Sequence, residues 1–132
     1  MKSKPYLDLA SARQMASAAM AHAQARSWAV SICVCDDGGH ALVLERGDGA
    51  APFTAEMALA KARAAALGRR ESKLFEDTIN QGRTAFVTAP LSGLLEGGVP
   101  VRVDGHVVGA VGVSGVKSAE DAEIARAGIA AL

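Results

Sequence analysis

Aromatic side chains are scarce in this sequence: its 132 residues include one Trp, one Tyr and three Phe. A core built instead from small aliphatic groups draws its elements close together. It also leaves less apolar area to bury per residue, so burial between subunits adds usefully to stability. Net charge is absent too, because 14 Lys and Arg balance 14 Asp and Glu. That balance excludes the basic stripe on which nucleic-acid binding depends and does little to oppose self-association. Only two cysteines occur, Cys33 and Cys35. On a strand they point to one face, two rises apart, where a disulfide between them would be strained, so they read as buried free thiols. No apolar run approaches the length of a membrane span. The opening Met1–Pro5 lacks the apolar segment of a secretion signal. The expectation is a cytoplasmic protein with no membrane and no nucleic-acid partner. There is no Gly-x-Ser-x-Gly elbow, Walker loop, zinc spacing or dinucleotide fingerprint, and the Cys33-x-Cys35 pair with His40 is too poor a set for zinc.

What is present is a chain half apolar, rich in Ala and Val, and of a length that fits one domain over residues 1–132. Its organising stretch is 97–115, two Val-rich runs divided by Asp104-Gly105. A two-residue Asp-Gly link supplies the positive φ angles of a type I′ turn and predicts a β-hairpin. Gly109, Gly112 and Gly115 on its second strand mark close approach of another backbone or a ligand.

Earlier in the chain, Leu9, Ala12, Ala16, Ala19, Met20 and Ala23 recur at helical spacing and predict a helix over 7–26, with Asp8 at its start. A buried strand over 28–35, turn residues at 36–39 and a return strand over 40–44 form a first hairpin. A polar link, 45–52, leads to an Ala-rich helix over 55–68 capped by Thr54, then a shorter helix over 71–80 that stops at Gly82. Residues 83–96 are irregular. Ser118–Asp121 resembles a capping box that opens a last helix running to 131. Helix, hairpin, two helices, hairpin, helix is the α+β class, an antiparallel sheet with helices packed against it.

Several pieces in this order resemble the GlcG/HbpS-like haem-binding family (DUF336 type). They are Val34-Cys35-Asp36-Asp37-Gly38-Gly39, Arg46-Gly47-Asp48-Gly49-Ala50, Ala60-Lys61-Ala62, Gly97-Gly98-Val99-Pro100-Val101, the run from Asp104 to Gly115, then Asp121 and Ala127-Gly128. The resemblance covers residues 7–131. It implies a profilin-like sandwich with a five-stranded antiparallel sheet and helices on both faces, a homo-oligomer from dimer to octamer, and haem as the possible cofactor.

Arg46 suits a bidentate clamp on a carboxylate, including a haem propionate, and Asp48 suits orienting that Arg or moving a proton. Lys61, alone among small apolar residues, reads either as a partly buried amine useful for chemistry or as a side chain reaching solvent. Gly97 and Gly98 offer N–H groups to an anion, Ser114 offers a hydroxyl to the same ligand, and Glu96 is a further proton-transfer candidate. His22, beside the apolar side of the first helix, is preferred over His40 and His106 as the haem-iron ligand. Two functions follow. One is a cytoplasmic, oligomeric haem-binding protein. The other is a catabolic enzyme or accessory protein acting on a small carboxylate-bearing intermediate, of isomerase, hydrolase or deaminase type.

Overall fold

The computed structural model describes residues 1–132. Helix α1 (Leu9–Ala25) is followed by strands β1 (Ser31–Asp36) and β2 (Ala41–Arg46). Helices α2 (Phe53–Gly68) and α3 (Ser72–Asn80) come next, then a 3-10 turn (Thr84–Thr88). Strands β3 (Gly98–Val103) and β4 (His106–Ser114) and helix α4 (Ser118–Ile129) complete the chain. The strands form one antiparallel sheet in the order β2-β1-β4-β3. It has four strands, not the five expected. The reason lies in residues 84–96, where the 3-10 turn, Pro90 and a left-handed Gly93 keep the chain from pairing. The edges of the sheet are therefore β2 and β3.

Both hairpins form where turn chemistry predicts them. Asp104 and Gly105 both have positive φ, 50° and 78°, as the type I′ turn requires. The start of α1 is capped as the sequence suggests, with the Asp8 carboxylate accepting the Ser11 N–H at 2.8 Å. Two starts differ from expectation. Thr54 lies inside α2, which begins at Phe53, and its hydroxyl pairs with Ser31 Oγ at 2.8 Å instead of capping. In α4 the back-bond to the helix start comes from Glu120, which accepts the Lys117 N–H at 3.2 Å, so Asp121 is released to point inward.

Strand alternation divides the core in two. On one face Ile32, Val34, Val101, Val111 and Val113 meet Met15, Ala16, Ala19, Ile124 and Ala125 of α1 and α4. On the other, Cys33, Cys35 and Ala110 meet Ala58, Ala62, Ala65 and Ala66 of α2. The second layer contains almost nothing larger than a thiol, so it holds together only through close approach, where many short contacts replace large side chains. Burial pushes both thiols up to about 12, so Cys33 and Cys35 are inert packing groups at neutral pH. Gly112 makes the approach possible: a Cβ there would sit 2.1 Å from the Ala58 carbonyl oxygen and 2.5 Å from the Ala62 N. Gly112→Ala is expected to push α2 off the sheet and cost about 3 kcal/mol, measured by urea denaturation. A loss below about 0.5 kcal/mol would show that α2 is not held by this contact.

Candidate functional site

Helix α2 covers one face of the sheet and α4 the other, and a single ion pair joins them. Lys61 and Asp121 are 4% and 2% exposed. Lys61 Nζ donates to Asp121 Oδ2 at 2.9 Å and to the Val113 carbonyl at 3.1 Å. The other oxygen, Asp121 Oδ1, accepts the Val116 N–H at 3.1 Å. Burial raises the Asp121 carboxyl above its ordinary value, and the hydrogen bond and charge of Lys61 pull it back. Of the alternatives the sequence left for Lys61, the buried one holds. Gly97 allows this: with φ at +135°, its missing Cβ would lie 2.9 Å from Lys61 Nζ.

The pair forms the floor of an open cleft of about 520 Å³. The N-terminal ends of α2 and α4 border it, through Phe53, Thr54 and Ser118. Its apolar walls are Trp28, Phe53, Met57, Leu95 and Val116, and Ser114 lies beside the pair. Phe53 and Leu95 stand at the rim, 62% and 43% exposed.

The cleft gathers some of the residues expected from sequence and leaves others outside. Lys61 and Ser114 line it. Arg46 and Asp48 are exposed on the β2–α2 link, which lends the cleft Gly49 and Ala50 but neither charged side chain. Glu96 is half-buried next to Leu95, outside the lining. The Gly98 N–H, offered to an anion from sequence, donates instead to Ser72 Oγ at 2.8 Å. The glycine pair thus serves packing around Lys61. His22 Nε2 is bound to Glu123 Oε2 at 2.7 Å on the α1–α4 face, and this contact holds the Glu123 carboxyl below its usual value. His40 and His106 are exposed beside their hairpin turns. Asp121 was visible in the sequence as a helix-start residue and as one of the residues that carry the family resemblance. Its signal as a partner was the solitary Lys61 on an Ala-lined face, since a buried cation requires a counter-charge.

The profile of the family described as "Haem degrading protein HbpS-like" matches residues 7–130. The chain belongs to that family. It is 56% identical over 114 residues to Protein GlcG of Escherichia coli K12, a match covering 86% of this chain and 85% of that protein. Among solved structures, a double mutant of Streptomyces reticuli HbpS is similar, with a TM-score of 0.90 and 32% identity over 100% of this chain and 90% of its own. So is PduOC in a complex with haem, with a TM-score of 0.86 and 25% identity over 97% of this chain and 96% of its own. No helix of this chain is long and apolar enough to cross a membrane.

The buried pair has an energetic signature. Lys61→Met leaves Asp121 buried without a partner and is expected to cost about 3–5 kcal/mol, whereas adding Asp121→Leu should restore most of that loss. Chemical denaturation of both variants is the check, and additive losses would show that the two groups do not interact.

Proposed function

We propose that this protein binds haem, and that it does so in the cleft above Lys61 and Asp121. The observation that carries the reading is the pairing, in one cavity, of aromatic and apolar walls with a buried cation at the floor. A porphyrin has the same two-part character, a broad apolar ring with carboxylates on one edge. The cleft volume lies within the range of small-molecule sites, and family membership together with the haem complex of PduOC supports the assignment.

The residues present fit haem in their chemistry. Trp28, Phe53, Leu95 and Val116 suit the ring faces. Met57 is the lining side chain with a soft donor atom suited to iron. His22, the ligand favoured from sequence, has its Nε2 committed to Glu123 and does not line the cleft. When bound, haem supplies an iron centre that can change oxidation state. The protein's own part is to exclude water from the ring with Phe53 and Trp28 and to keep the Lys61 N–H donors fixed below it.

The reading includes an oligomer in the cytoplasm. Exposed Phe53 and Leu95 at the rim, with Tyr6 and Val87 elsewhere, are apolar groups that a second copy would cover. Light scattering after size exclusion tests the subunit number, and a monomer at all concentrations would contradict it.

Haemin titration followed at the Soret band tests the main claim. Saturable binding of one haem per cleft is expected. Phe53→Glu should weaken it at least about tenfold, by setting a carboxylate against the apolar ring, and His22→Ala should leave it unchanged. Loss of binding in His22→Ala with Phe53→Glu unaffected would move haem out of the cleft.

A further inference from the structure

We infer that the floor of the cleft is a subsite for one carboxylate group, formed by Lys61 Nζ, Ser114 Oγ and the N-terminal ends of α2 and α4. The inference rests on the cleft being a ligand site, not on that ligand being haem.

Two polar groups at the floor have capacity that the fold does not use. The Lys61 ammonium carries three N–H donors, and the chain takes two of them, at Val113 and Asp121. Ser114 is 6% exposed, makes no hydrogen bond through its side chain, and surfaces in the cleft. No buried side-chain N or O atom of the chain lacks a partner, so this hydroxyl is open to the cleft and free to meet a ligand. Ser31, the neighbour of Ser114 across β1 and β4, is paired within the fold: Ser31 Oγ and Thr54 Oγ1 meet at 2.8 Å. A hydroxyl donor beside an unused ammonium N–H is the equipment for one oxyanion.

The field at the floor gives the charge of the ligand. Lys61 and Asp121 cancel. The N-termini of α2 and α4, helices of 16 and 12 residues, both border the cleft, and each contributes about half a positive charge. Of the acidic residues in their first turns, Glu56 lines a different cavity, whereas Glu120 turns back to the Lys117 N–H and offsets the α4 end. What remains is the α2 end, about half a positive charge, which suits a monocarboxylate better than a phosphate dianion. Met57 and Val116 beside the floor call for an apolar body next to that carboxylate.

A carboxylate on an apolar body is either a haem propionate or a free short-chain acid, and the test separates them. In one arm, butyrate and butyramide are titrated into the haem-free protein and followed by amide chemical shifts. In the other, haemin and its dimethyl ester are compared at the Soret band. Saturable shifts at Ser114, Val116 and Ser118 with butyrate, absent with butyramide and weakened at least about tenfold in Ser114→Ala, support the subsite with a free acid as its source. Preference for haemin over the ester, lost in Ser114→Ala, supports it with propionate as the source. If butyrate binds and haemin does not, the haem reading fails and the subsite stands. If neither carboxylate is preferred over its uncharged counterpart, the subsite is overturned, and this comparison holds in the unaltered protein should Ser114→Ala not fold.

Discussion

The structure depends on a buried charge pair. Lys61 comes from the helix on one face of the sheet and Asp121 from the helix on the other, and both are almost fully removed from water. Desolvating two charges is costly, and their attraction recovers that cost only with good geometry and with the remaining polar atoms satisfied. Here the Val113 carbonyl and the Val116 N–H do much of that work. Hydrophobic groups of similar volume would hold the two helices at least as well, so stability is a weak explanation for the pair. Its position is a better one: it lies at the floor of the cleft that brings together aromatic side chains and two helix starts.

Small side chains are what permit this arrangement. The Ala-lined face of α2 lies on Cys33, Cys35 and Ala110, and Gly112 and Gly97 remove the Cβ atoms that would hold Ala58 and Lys61 away. Close approach carries the third turn of α2 down to the sheet end, so a side chain as long as Lys61 reaches Asp121 instead of solvent. The scarcity of aromatic residues in the core and the presence of Trp28 and Phe53 at the cleft belong together. Two of the five aromatics stand where a ligand would meet them, while Phe75 is buried and stacks on Phe86.

Much of the fold was legible because its signals are local. Asp104-Gly105 specifies a turn, Asp8 a helix start, and the short apolar run over 28–35 a buried strand. The fifth strand, implied by family resemblance, is absent because Pro90 and Gly93 fall in the segment before β3. The site was less legible, because it is assembled from distant pieces. Arg46 and Asp48 looked functional by their residue types, yet their side chains leave the cleft while the backbone beside them lines it. Asp121 looked like a capping residue because capping boxes are read from four consecutive positions. Only the fold reveals that Glu120 takes that role, one place earlier. Ser114 was visible as a donor, but that its hydroxyl lacks a partner is a property of the folded molecule alone.

The central claim, that haem enters above the Lys61–Asp121 pair, is most directly tested by locating iron in crystals of the protein grown with haemin, from the anomalous signal at the iron edge. The account predicts an iron position inside the cleft next to Met57, with Phe53 and Trp28 against the ring. An iron position beside His22 on the α1–α4 face, or at the exposed hairpin around His106, would contradict it.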